Sequence, residues 1–243
     1  MRDLFDIHCH LVPGVDDGAK TIQESIDALA LEYDQGVRKI ICTPHYSAER
    51  AADYREEVLG AFEELKSRLK ETPFGPEMSL FLGNEMMYTE SLGDMLAEKR
   101  AYSMAGSHYV LVEFLPSVRY EELLRGLKQV MFAGYLPILA HMERYQCLVK
   151  QEERLDELAD LDVYLQVNGA SLFGGLFDSA SSRVRKLCKA GKIDFLGTDS
   201  HGTHYRKPEI KRAAEWIEKN CGERVAEKML YRNPQAVLDD KII

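Results

Sequence analysis

The sequence predicts an α/β fold in which parallel strands curl into a distorted (β/α)7 barrel, a relative of the eight-stranded TIM-like form, as a single domain over residues 1–243. Short β-rich apolar segments alternate with longer amphipathic ones, the pattern of βαβ units around a parallel sheet. Seven short segments are present. Six of the seven end in or lead directly to residues able to ligate a metal. An open sheet gathers ligands at one switch point, whereas a barrel offers every strand's C-terminal end to one mouth, so the scatter favours closure.

Each element has its own local reason. The first strand, residues 4–8, is an apolar run from Leu4 to Ile7 closing on His8, with Cys9, His10, Asp16 and Asp17 behind it. Helical spacing over 21–35 stops at Gly36, and strand 37–43 then leads through Thr43 and Pro44 to His45. A helix over 53–70 precedes strand 79–83, which runs into Asn84 and Glu85. Strand 109–113 ends on Glu113, and helix 120–133 stops at Gly134. Strand 136–140 delivers His141 with Arg144 behind it, helix 151–161 follows, and strand 163–168 ends on Asn168. Helix 179–190 stops at Gly191, and strand 193–198 runs into Asp199, Ser200 and His201. Helices over 208–220, 223–231 and 234–239 close the chain, two of them opening on prolines suited to the first helical position. No repeat, low-complexity tract or shift of composition marks a second domain.

A net charge of -9 disfavours a broad face for nucleic acid, so no nucleic-acid partner is expected, although bound cations can reverse the sign locally. No apolar targeting stretch follows Met1 and no run approaches a membrane span, so the expectation is a soluble, cytoplasmic chain without membrane insertion. The five cysteines are widely spaced and lack a C-x-x-C pair, which points to reduced thiols rather than a disulfide framework or zinc ribbon.

Five of the seven histidines stand where hydrophobic runs end, each near an acidic residue, Arg or Pro. His8 and His10 lie two apart, so on a strand both project to one face, a frequent metal-ligand device. Taken singly, the pieces have bland alternatives: Asp16, Asp17 and Gly18 are turn chemistry, a Thr-Pro-His end is an ordinary strand exit, and Glu85 or Glu113 could serve a salt bridge. Jointly they do not, because several unpaired carboxylates at one mouth would each cost several kcal/mol unless cations neutralised them. The constellation is what a multi-metal hydrolytic site requires.

The start Asp6-Ile7-His8-Cys9-His10-Leu11-Val12-Pro13-Gly14-Val15-Asp16-Asp17-Gly18 resembles the opening of the polymerase and histidinol phosphatase (PHP) superfamily, and within it the bacterial manganese-dependent tyrosine-protein phosphatases of capsular and exopolysaccharide synthesis. Later blocks agree: Cys42-Thr43-Pro44-His45, Gly83-Asn84-Glu85, Val112-Glu113-Phe114, Ala140-His141-Met142-Glu143-Arg144 and Gly197-Thr198-Asp199-Ser200-His201. The resemblance implies the PHP fold and three divalent metals, usually Mn2+, with Fe, Zn, Co or Mg as other options. It carries over as metal ligands His8, His10, Asp17, His45, Glu85, Glu113, His141, Asp199 and His201, with Asp16 an open alternative to Asp17. It places Arg144 and Arg206 near the phosphate in catalysis; otherwise they are surface arginines in loops. His108 and His204 are left over, His204 being the better spare. The partner implied is the phosphotyrosine tail of an autophosphorylated bacterial tyrosine kinase that regulates capsule and exopolysaccharide export, with recruitment to a membrane-bound kinase; segments 46–54 and 169–178 are where tail contacts are expected.

Other function classes fail on the same letters. A cysteine-dependent phosphatase needs Arg six positions after its Cys, and none of the five cysteines has one. A P-loop needs Lys directly after its second glycine, but Ala19 separates Gly18 from Lys20. Within the superfamily the rivals are histidinol phosphatase and a phosphodiester-cleaving nuclease, the latter disfavoured by the acidic balance.

Overall fold

The computed structural model describes residues 3–47, 49, 53–149, 151–174 and 178–243. Its strands are β1 (Leu4–Cys9), β2 (Val37–Cys42), β3 (His45–Tyr46), β4 (Ser79–Leu82), β5 (Glu85–Met87), β6 (Tyr109–Glu113), β7 (Leu136–Leu139), β8 (Tyr164–Asn168) and β9 (Phe195–Gly197). Every pairing is parallel, in the orders β1-β2-β4 and β3-β5-β6-β7-β8-β9. Backbone bonds just past the strands tie the ends of the two runs together: Asp199 N donates to His8 O at 2.7 Å and His10 N to Ser200 O at 2.8 Å. The sheet therefore curls.

Two expected strands are each followed, past a break, by a further short strand that lies beyond the predicted end. Strand 37–43 gives β2 and then β3, because Pro44 has no N–H for the ladder. Strand 79–83 gives β4 and then β5, and at the break the Asn84 side chain takes over the hydrogen bonding, its Nδ2 donating to Pro44 O at 2.8 Å and its Oδ1 accepting from Tyr102 N at 2.8 Å. Both breaks fall immediately before an expected ligand, so His45 and Glu85 open new, re-aimed segments. The other strands fall within two residues of expectation.

Alternation along the strands builds two apolar layers. Val110, Val112, Leu139, Leu165, Val167 and Leu196 belong to the larger core shared with the helices. Tyr109, Leu111, Ile138, Tyr164 and Phe195 form a separate cluster with Ile7 and Ile41. In β8 the residues that continue the parity of Tyr164 are Gln166 and Asn168, both buried.

The helices are α1 (Ile22–Asp34), α2 (Tyr54–Lys70), α3 (Leu92–Ala97), α4 (Tyr120–Phe132), α5 (Gln146–Val149), α6 (Glu152–Asp160), α7 (Ser179–Lys189), α8 (Lys211–Asn220), α9 (Glu223–Glu227) and α10 (Asn233–Leu238). Thr21 caps α1 by accepting from Glu24 N, and Gly36 and Gly134 make the expected exits at φ 91° and 88°. Helices α3 and α5 were not expected, being too short to show an apolar period. Helix 208–220 starts late, at Lys211, since Gln35 Oε1 accepts from Ile210 N and Lys211 N while its Nε2 donates to Pro208 O, holding that proline outside the helix. Segment 223–231 is α9 followed by a wider turn over Lys228–Arg232. Pro234 has no N–H for the Leu230 carbonyl, which accounts for the widening.

Candidate metal centre

The mouth collects side chains from nearly every strand end. His8 lies in β1 and His10 just beyond it, His45 opens β3, Glu85 opens β5 and Glu113 ends β6. His141 follows β7, and Asp199 and His201 follow β9. His141 and Asp199 sit at φ 31° and 54°, in left-handed backbone that non-glycine residues adopt at a cost of about 1–3 kcal/mol each. Such strain persists where the surroundings over-determine it, and here it turns both side chains back over the strand ends.

Three overlapping groups of ligand atoms result: His8, His10, Glu85 and Asp199; His45, Glu85 and Glu113; and His10, Asp17, His45 and His201. Glu85 Oε2 is 3.3 Å from His8 Nε2, 3.2 Å from His10 Nε2 and 3.2 Å from His45 Nδ1, and its Oε1 is 2.6 Å from His141 Nε2. Asp199 Oδ1 is 3.6 Å from His8 Nε2 and 3.5 Å from His10 Nε2. Glu113 reaches His45 Nδ1 at 3.1 Å and His141 Nε2 at 3.7 Å. Asp17 Oδ1 lies 3.4 Å from both His45 Nε2 and His201 Nε2, at the open rim.

The adjacent aspartates divide their work. Asp16 faces away from the rim: its Oδ2 accepts from His10 Nδ1 at 2.8 Å and from His45 N at 2.9 Å, while Oδ1 accepts from Gly18 N at 2.9 Å. Burial alone would raise the Asp16 carboxyl, yet the hydrogen bond and charge of His10 and the two backbone donors hold it far below the usual range. An ionised Asp16 keeps the His10 proton on Nδ1 and turns Nε2 into the cluster.

The donor set fits divalent cations. His8 Nε2 and His10 Nε2 stand 3.3 Å apart and both face the Glu85 and Asp199 carboxylates, four lone-pair atoms around one region. Without a cation, protons must fill that role. Burial opposes charge on His8, but Glu85 and Asp199 outweigh it and raise the imidazole above its usual value; His10 is raised further, by hydrogen bonds to Asp16, Asp199 and Glu85. Burial would also raise Glu85, but His8, His10 and His141 bring it well below the carboxylate range. His201 goes the other way, to about 4, through burial and the neighbouring charges of His10 and Arg206. Imidazole with carboxylate suits Mn, Fe, Co and Zn alike, so the donors define divalent ions as a class.

Both arginines reach Asp199. Arg144 Nη2 donates to Asp199 Oδ2 at 2.6 Å, Arg206 Nη2 pairs with the same oxygen, and Arg206 Nη1 lies 2.9 Å from His201 Nε2. Among the leftover histidines, His108 Nδ1 pairs with Asp240 Oδ2 at 2.7 Å, and His204 is exposed beyond His201. Of the segments expected to meet a partner, residues 48, 50–52 and 175–177 lie outside the described residues.

Residues not foreseen lie one layer below. Gln166 Oε1 accepts from His141 N at 2.7 Å and meets His8 Nδ1 at 3.2 Å, and Asn168 Nδ2 donates to Asp199 Oδ2 at 2.8 Å. Asp6 joins β1 to the exit of β9 by accepting from Thr198 N at 2.9 Å and Thr198 Oγ1 at 2.5 Å. The signal was available: polar residues two apart in otherwise apolar strands, at 166 and 168 and at 6 and 8.

A curled parallel α/β sheet with buried imidazoles and carboxylates massed at its C-terminal mouth defines a metal-site protein of the barrel-hydrolase kind. Residues 4–239 match the family described as capsular polysaccharide synthesis, CpsB/CapC, and the chain belongs to that family. The tyrosine-protein phosphatase CpsB of Streptococcus pneumoniae is 30% identical over 245 residues, spanning 99% of this chain and 100% of its own length. The tyrosine-protein phosphatase YwqE of Bacillus subtilis is 28% identical over 244 residues, covering 99% of this chain and 93% of its own. A solved structure from the pair YwqE and CpsB, described as unique metal-dependent tyrosine phosphatases, superposes with a TM-score of 0.86 at 28% identity over 98% of this chain and 96% of that one. The phosphotriesterase homology protein of Escherichia coli, at 13% identity and a TM-score of 0.57, shares the fold. The resemblance carried by the sequence motifs is thus borne out.

Proposed function

We propose that this chain is a metal-dependent protein-tyrosine phosphatase that hydrolyses phosphotyrosine, with three divalent ions, Mn2+ foremost, held by His8, His10, Asp17, His45, Glu85, Glu113, His141, Asp199 and His201. The observation that carries the reading is the convergence of imidazole and carboxylate at one mouth, in a chain matching tyrosine phosphatases over nearly its whole length. The scaffold is read as one PHP-type domain, a distorted seven-stranded barrel counted with β2 and β3 as one strand and β4 and β5 as another.

Bound divalent ions supply two things: a water acidified toward neutrality and charge to offset that developing on the phosphoryl oxygens. The protein's own groups orient and bind. Arg144 and Arg206, half-exposed and converging on one carboxylate oxygen, present planar paired donors that an incoming phosphate can share, which lysine could not match. The leaving phenol has a pKa near 10, so little proton donation to it is required. Glu85 and Asp199, almost fully buried, keep the floor of the site anionic and dry.

The partner we propose is the phosphotyrosine tail of a bacterial tyrosine kinase that regulates capsule or exopolysaccharide synthesis, approached from the cytoplasm. Two observations favour this over nucleic acid or the bilayer interior: the net charge of -9, and the lack of any helix among the described residues long and apolar enough to cross a membrane. The Mn2+-loaded protein assayed on a phosphotyrosyl peptide, histidinol phosphate and a single-stranded oligonucleotide should strongly prefer the peptide. Preference for histidinol phosphate or the oligonucleotide would overturn the proposal.

A further inference from the structure

Strand β8 brings no expected ligand to the mouth, yet two of its side chains are buried inside the ring of strands. Gln166 is 0% and Asn168 6% exposed, and both carry a full set of polar atoms that must be satisfied. Their hydrogen bonds leave little freedom. The His141 backbone N–H can only donate, so the atom it meets at 2.7 Å is the Gln166 oxygen and not its amide nitrogen. That same oxygen lies 3.2 Å from His8 Nδ1, so the proton between them belongs to His8. With Oε1 fixed, Gln166 Nε2 donates to Asn168 Oδ1 at 3.0 Å, which turns Asn168 Nδ2 toward Asp199 Oδ2 at 2.8 Å. The Asn168 backbone is held in turn, its N donating to Glu143 Oε1 at 3.1 Å.

We propose that Gln166 and Asn168 are positioning residues for the metal site: one backbone donor on the exit of β7 sets the Gln166 amide, which locks His8 as its Nδ1–H tautomer and, through Asn168, fixes which oxygen Asp199 turns to the ions. The consequence at His8 is a free lone pair on Nε2, the atom that faces Glu85 Oε2 and His10 Nε2, both at 3.3 Å. The consequence at Asp199 is that Oδ2 takes donors from Asn168, Arg144 and Arg206, leaving Oδ1 for the His8 and His10 side. Asp16 does the same for His10 with a carboxylate. At His8 the acceptor is neutral, so the ring is oriented without adding another buried negative charge beside Glu85 and Asp199.

This inference rests on the reading of the cluster as a divalent-ion site, and the experiment separates the two. Titration calorimetry of the metal-free protein with Mn2+ should show Gln166→Met, which keeps the volume and removes both polar atoms, binding roughly 10–100-fold more weakly than wild type at the tightest site. 15N-histidine NMR of the metal-free proteins at alkaline pH should show His8 protonated at Nδ1 in wild type and no longer held so in Gln166→Met. Wild type that binds no divalent ion would sink both readings. Wild-type binding with unchanged affinity in a folded Gln166→Met protein would sink this one alone. Should Gln166→Met fail to fold, 15N-histidine NMR of metal-free wild type at alkaline pH decides the point without a variant. A His8 ring protonated at Nδ1 supports the inference, and one protonated at Nε2 overturns it.

Discussion

Replacing Glu85 by Gln is the sharpest perturbation of the centre, because it changes charge while leaving shape almost intact. The Glu85 carboxylate is 1% exposed and has His8, His10, His45 and His141 within 2.6–3.3 Å. At 3.3 Å and an effective dielectric constant near 20, one unit charge pair is worth about 5 kcal/mol. Neutralising the group also removes its own desolvation cost, so the net loss expected for breaking a buried pair is about 3–5 kcal/mol. At 1.4 kcal/mol per factor of ten, the lower figure corresponds to at least about 100-fold weaker binding of the first divalent ion. Glu113→Gln, whose carboxylate is 12% exposed and reaches two histidines, should lose less. The assay is Mn2+ titration by calorimetry, with turnover on a phosphotyrosyl peptide measured in parallel. Near wild-type affinity in a folded Glu85→Gln protein would refute the argument that this carboxylate joins the ion groups.

Further predictions follow from the same geometry. Arg206→Ala should lower turnover more than metal content, because its guanidinium meets the Asp199 oxygen turned away from His8 and His10; loss of the metals from that variant by elemental analysis would refute the role. In the metal-free protein His8, His10 and His45 hold protons above the usual value of 6.5, so they contribute stability that is complete below 6.5 and lost as pH rises through the folded-state values. Bound divalent ions require those nitrogens free, so urea midpoints should fall with rising pH for the stripped protein while Mn2+ affinity rises; parallel trends would contradict this. A Cβ on Gly18 would lie 2.0 Å from His10 O and 2.6 Å from His10 Cβ, so Gly18→Ala should displace His10 and weaken Mn2+ binding well beyond what its thermal midpoint indicates. An unaltered titration would count against the packing reason for that glycine.

Much of the centre was legible because ligation chemistry is restricted to a few residue types and strand ends are easy to find. The break at Pro44 could be foreseen from the missing N–H; the break at Gly83 and Asn84 could not, since it rests on a side chain returning to the Pro44 carbonyl from 40 residues away. Asp16 and Asp17 looked equivalent in sequence, and only the three-dimensional position of His45 N and His10 Nδ1 separates them. Gln166 and Asn168 were overlooked because neither is a metal-ligand type, although polar residues at 166 and 168 in an apolar strand are an anomaly that burial explains. Helices α3 and α5 escaped because a helix shorter than two turns has no period to read.

The most direct test is removal and return of the ions. Protein stripped with a chelator and dialysed should lose its phosphotyrosyl-peptide hydrolysis and regain it on titration with Mn2+, with metal content by mass spectrometry rising in step. Undiminished hydrolysis by demonstrably metal-free protein would contradict the account at its root.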